Sequence, residues 1–130
     1  MMSRFLPAAV LAAWCASAAA HDCLPYQPAE VTLTGDVTQV HGIKAGTKGT
    51  REDYYVLTLP EMACLTGGTE ELDEDIESID AFQLKPPPGA TLPKGLVGRR
   101  VAVTGLLAHR IVDETHTDVM LNYTAAKLAP

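Results

Sequence analysis

The sequence predicts an all-β domain: a small five-stranded, OB-like, partly open barrel with little helix. Three observations predict it. Short segments of period-two hydrophobicity recur along the chain, separated by breaks rich in Gly, Pro and acidic residues. Glycines sit inside two of these segments, Val31-Thr32-Leu33-Thr34-Gly35-Asp36-Val37 and Val101-Ala102-Val103-Thr104-Gly105-Leu106-Leu107. Gly35 and Gly105 then mark bulges or tight bends that let a strand turn around a small barrel. Finally, a proline-rich break parts the third segment from the fourth, as in a barrel that is only partly closed.

The first strand covers Val31–His41, with Val31, Leu33, Gly35 and Val37 on one face and threonines and Asp36 on the other. Gly42–Thr50 follows as a flexible loop. Tyr54–Leu59 forms the second strand, with Tyr55, Leu57 and Leu59 on one face, stopped by Pro60. A third strand spans Ile76–Leu84, with Phe82 and Leu84 inward. Pro86, Pro87, Pro88, Gly89 and Pro93 rule out regular structure until about Leu96. Arg100–His109 is the clearest strand. Ile111–Thr115 makes a short polar turn, and Val119–Leu128 closes the order with Val119, Leu121 and Tyr123 inward.

The first residues point to export. Arg4, the apolar run Phe5–Trp14 and the small residues Ala18, Ala19 and Ala20 read as a signal peptide over residues 1–20. The mature chain, residues 21–130, is a single domain. The apolar run is too short to span a membrane, and no later segment approaches the ~20 apolar residues required. Cys15 lies near the run, but the bulky Trp14 before it argues against lipoprotein processing. The alanine-rich leader has a bacterial character, so the periplasm is expected, with secretion as the alternative. The sequon Asn122-Tyr123-Thr124 is then incidental.

Charge narrows the partners. The formal net charge is −6, and losing Arg4 makes the mature domain more acidic still. Nucleic acid and anionic membrane surfaces need clustered Lys and Arg, so both are excluded as partners. Two cysteines remain after processing, Cys23 and Cys64, and in an oxidising compartment they form a structural disulfide. Their wide spacing is unlike that of a redox-active Cys-x-x-Cys pair.

Several stretches together resemble one bacterial family. They are Cys23-Leu24-x-Tyr26-x-Pro28, Val31-Thr32-Leu33-Thr34-Gly35, Tyr55-x-Leu57-x-Leu59 and Cys64, then Leu96–His109 and His116-Thr117-x-Val119-x-Leu121. The chain is similar, over Cys23 to about Leu128, to the family catalogued as domain of unknown function 4431. The resemblance implies an exported, disulfide-bonded β-domain of unassigned activity, and it supports the cysteine pairing and the strand order. Two departures stand out. The segment before Leu96 is helical in the family and proline-rich here, which shortens or removes a covering helix. The family's histidine-rich turn after the fourth strand keeps only His109 and His116, with Asp113 and Glu114 between them.

Chemistry-bearing residues are few. His109 and His116 flank the last turn and are the candidate metal ligands for Zn or Cu, with Asp113, Glu114 or Asp118 as a third donor. Strand parity opposes the pairing: with Leu107 and Val119 facing the core, the two imidazoles fall on opposite faces. His21, at a processed N-terminus, offers a copper-binding amine and imidazole, against the simpler reading of a frayed end. Glu70, Glu71, Asp73, Glu74, Asp75, Glu77 and Asp80 lack the order of an EF-hand loop and read as a solvated acidic loop. Of these, Glu70, Glu71, Asp73, Glu74 and Asp75 form a possible partner surface. Ser78, the single serine after residue 20, has no histidine near it in sequence, and hydrolytic chemistry is not expected. Arg51, Tyr54 and Tyr55 could line a ligand face, although strand aromatics more often serve packing.

The expectation is therefore a non-enzymatic periplasmic binding or interaction domain without a cofactor. Its binding rim would be Gly42–Asp53 and Ile111–Thr115. Two alternatives stand beside it. One is a metal-binding protein using the histidine pair. The other is an inhibitor or immunity protein whose acidic surface suits a basic hydrolase.

Overall fold

The alternation visible in the sequence is the alternation that buries the strands. In the computed structural model, which describes residues 22–44, 46–112 and 114–130, Val31, Leu33, Gly35 and Val37 are buried while Thr32, Asp36 and Thr38 are exposed. The same holds for Val101, Val103, Gly105 and Leu107 against half-buried Ala102, Thr104 and Leu106. The leader, Cys15, His21 and Asp113 lie outside the described residues.

Six strands are present: β1 (Leu24–Pro25), β2 (Glu30–Ile43), β3 (Arg51–Thr66), β4 (Ile76–Lys85), β5 (Arg100–His109) and β6 (Val119–Leu128). Five are the expected ones, and β1 is a two-residue addition that runs parallel to the end of β3. The sheet closes on itself as a ring of hydrogen-bonded neighbours, β3-β2-β5-β6-β4-β3. β2 is long enough to serve two partners. Its first half, Glu30–Asp36, pairs with β5, and its second half, Asp36–Ile43, pairs with β3. The ring is closed by a short parallel contact, Gln83–Lys85 of β4 against Met120–Asn122 of β6. Order and orientation are those of the expected OB-like, partly open barrel.

Gly35 and Gly105 hold the two tight places in this ring. A Cβ on Gly35 would stand 2.3 Å from the Thr58 carbonyl oxygen, at the point where β2 changes partner. One on Gly105 would stand 2.2 Å from the Asn122 oxygen, beside a register shift between β5 and β6. Both glycines therefore permit a backbone approach that no larger residue allows.

β3 runs past Pro60, where the sequence places its end. The pairing with β4 jumps from Thr58↔Ala81 to Ala63↔Ile79, so four residues of β3 lie opposite Asp80 alone. Pro60 falls in this bulge, is exposed, and has no ladder hydrogen bond to lose. The Cys23–Cys64 disulfide, with Cα atoms 4.6 Å apart, fastens the chain before β1 to the far end of β3. Between β4 and β5 the proline-rich stretch carries a single 3₁₀ turn, Lys94–Leu96, where the covering helix was expected to be shortened or lost. Buried Leu92 and Leu96 nonetheless join the core, which centres on Val37, Leu57, Phe82, Val101, Leu107 and Leu121.

Candidate functional site: a cleft over β3 and β4

The β3–β4 face carries a cleft of about 450 Å³. Its floor and walls come from Glu52–Tyr55 of β3 and Gln83–Lys85 of β4, with Lys44 and Glu114 contributed by the two flanking loops. In five-stranded barrels of this kind the second and third strands, with the loops joining strands one to two and four to five, form the ligand face. Here those elements are β3, β4, residues 44–50 and residues 110–118. The cleft thus lies between the two loops expected to form the rim.

One wall is assembled by a side chain the sequence reading passed over. Gln83 is 8% exposed, and its amide oxygen accepts from the His116 backbone N–H at 2.6 Å. Its amide nitrogen donates to the Glu114 carbonyl at 3.4 Å, and its backbone N–H donates to Thr117 Oγ1 at 2.8 Å. A glutamine between Phe82 and Leu84 cannot be buried without such partners, and these three bonds pin the β5–β6 loop to β4. The loop also braces itself, since Ile111 N–H donates to the buried Thr115 Oγ1 at 3.1 Å.

This fixes His116. Its ring lies flat on Tyr54, with centroids 4.0 Å apart and planes 2° apart, and its Nε2 meets Glu52 Oε2 at 3.1 Å. Tyr54 is packed from another side by Gly42, where a Cβ would come within 3.3 Å of the ring. The cleft wall is therefore braced by contacts within the protein itself. Exposed His41 pairs with Asp53 across the β2–β3 ladder at 2.7 Å. Behind Tyr55 the hydroxyl of Tyr123 is buried with no hydrogen-bond partner among the described residues. Burial, and then the neighbouring Tyr55, push its pKa above the ordinary value. Arg51 starts β3 opposite Ile43 and is exposed.

The acidic loop is less solvated than expected, because Asp73 turns inward. Its side chain is fully shielded and receives His109 Nδ1–H at 2.8 Å, while the Glu70 backbone N–H donates to its other oxygen at 3.1 Å. Gly68 makes the room: a Cβ there would lie 2.0 Å from that of Asp73. Burial alone would raise the Asp73 pKa, but the His109 hydrogen bond, the loop amides and the imidazolium charge together hold it below the ordinary value. Of the possible partner surface, Glu70, Glu71, Glu74 and Asp75 are exposed and Asp73 is not.

The two candidate metal ligands have different partners. His109 belongs with Asp73 and Glu70, whose donor atoms lie within 4.8 Å of one another, and His116 belongs with Glu52. Those three ligand groups already serve as hydrogen-bond partners: Glu70 Oε2 accepts from Gln27 Nε2 at 2.6 Å, and each Asp73 oxygen accepts one bond as above. Ser78 is exposed on β4. Compared with known proteins, the chain matches no family model, no curated protein and no solved structure.

Proposed function

We propose that this protein is a non-enzymatic binding domain that works outside the cytoplasm, in the periplasm or beyond it, and takes a small organic ligand in the β3–β4 cleft. The observation that carries the reading is the wall formed by Glu52, Tyr54 and Gln83, braced from outside the cleft by His116, which stacks on Tyr54 and meets Glu52. A volume of about 450 Å³ falls in the range of small-molecule sites, which combine an apolar lining with a few fixed polar groups. Leu84, Leu92 and Met120 supply the lining, and Glu52, Lys44 and Lys85 supply charges of both signs. A compact molecule with an apolar body and polar ends suits that set.

The binding reading also draws on the histidines. Each described imidazole hydrogen bond goes to a carboxylate, and none reaches a hydroxyl or thiol that it could activate. Placement outside the cytoplasm draws on the leader-like residues 1–20 and on the disulfide. No helix among the described residues is long and apolar enough to cross a membrane.

Amide chemical-shift mapping with a soluble fragment set tests the reading. Binding fragments should perturb Glu52–Tyr55, Gln83–Lys85 and Glu114–His116 as one group. Hits scattered over other surfaces, or no hit at millimolar fragment, would contradict it.

A further inference from the structure

A second surface, separate from the cleft, lies along the seam where the barrel is barely closed. β4 is joined to β6 only through Gln83–Lys85. Below that contact, no backbone hydrogen bond is made across the outer edge of Glu77–Phe82 among the described residues. The direction of that edge can be read from Gln83, whose N–H points away from β3 to Thr117 Oγ1. Strand alternation then turns the N–H and C=O of Ala81 and Ile79 outward as well. Two depressions run along it and share Asp118. One, of about 460 Å³, lies beside Glu74–Ile76, and the other, of about 290 Å³, beside Ser78–Ala81.

Their lining is unusual in two respects. Leu72, Val112 and Met62 border the depressions at 63%, 71% and 65% exposure, so apolar area is left open where partners dock. The field is also strongly acidic. Glu74, Asp75, Asp80 and Asp118 line the two depressions, and Asp73 and Glu77 adjoin them in sequence. Asp73, Glu74 and Asp75 from one loop and Asp118 from the other reinforce the effect of burial in raising the Tyr26 pKa, which places all four around one spot. Arg110 is the one Lys or Arg in the lining, which also holds His109 and His116.

We infer that this seam binds an extended segment of a partner protein that alternates basic and apolar residues and adds as a strand to the outer edge of β4. An open edge offers main-chain hydrogen bonds, and pockets beside it select alternate side chains. The acids select a cationic segment, and the exposed Leu72, Val112 and Met62 take its apolar positions. A second copy of this chain is disfavoured, because pairing two such edges would bring Glu77 and Asp80 against their own kind.

The test is fluorescence anisotropy at low salt and pH 7 with a labelled ten-residue peptide alternating Lys and Val. The comparison peptides alternate Lys with Pro, which keeps the charge but removes half the donors, and Glu with Val. Saturable binding is expected for the Lys–Val peptide, at least tenfold weaker for Lys–Pro and absent for Glu–Val. Ala81→Pro removes an outward N–H, and Asp80→Lys with Asp118→Lys reverses the field while leaving the edge intact. Either variant, once shown folded by circular dichroism, should weaken binding at least tenfold. Equal binding of the Lys–Val and Lys–Pro peptides would mean adsorption by charge alone and would overturn the inference. No saturable binding would also overturn it, as would self-association of the wild type abolished by Ala81→Pro.

Discussion

The Nδ1 atom of His109 lies 2.8 Å from Oδ1 of Asp73, and the Asp73 side chain is closed off from solvent while the histidine keeps part of its ring exposed. The bond ties the β3–β4 loop to the end of β5. A carboxylate in that setting stays charged only because the imidazole and the loop amides pair with it and offset its burial. Its pKa lies below the ordinary value in the folded protein. The stability it contributes is therefore complete above the unfolded value and is lost as pH falls through the lowered one. Asp73→Asn should cost about 1–3 kcal/mol at pH 7. Thermal denaturation between about pH 5 and pH 2 should fall steeply for the wild type and more gently for the variant.

Gly105 meets β6 so closely that a methyl group has nowhere to go. Gly105→Ala should destabilise the domain by about 1–3 kcal/mol through overpacking against backbone. Urea denaturation checks it, and a cost near zero would mean that the β5–β6 bulge relaxes freely.

The Cys23–Cys64 bridge spans 41 residues of sequence. Replacing both cysteines with alanine should cost about 3–4 kcal/mol by loop-closure entropy. Reduction of the wild type should shift its melting temperature to that of the variant.

Tyr123 presents a buried hydroxyl with no partner among the described residues. Tyr123→Phe removes a desolvated polar atom without leaving a hole, so stability should be unchanged or higher by about 1 kcal/mol. A loss above that size would show that the hydroxyl has a bound water or ligand to satisfy.

Four of the long strands are legible because a half-buried strand writes its period into the sequence. Arg100–His109 and Val119–Leu128 match residue for residue. The extension of β3 past Pro60 is not legible, since it depends on a register jump opposite Asp80, on another strand. Nor is β1, a two-residue pairing with β3 beside the Cys23–Cys64 bridge that no local pattern marks. The buried Asp73 is hidden among acids that otherwise signal solvation, and only Gly68 and the distant His109 distinguish it. Gln83 reads in the sequence as an ordinary polar position of an alternating strand. It marks only an outward position between inward Phe82 and Leu84, and the burial comes from the β5–β6 loop that folds over it, which no local pattern shows.

The measurement closest to the central claim is equilibrium dialysis of the protein against a small-molecule extract of the cells that make it and of their medium, read by mass spectrometry. The wild type would be compared with Glu52→Ala combined with His116→Ala, a pair that removes one lining carboxylate and the imidazole stacked on Tyr54. The wild type should concentrate one compound or one close chemical series, and the variant should not. A compound held equally by both proteins, or none held by either, would contradict it.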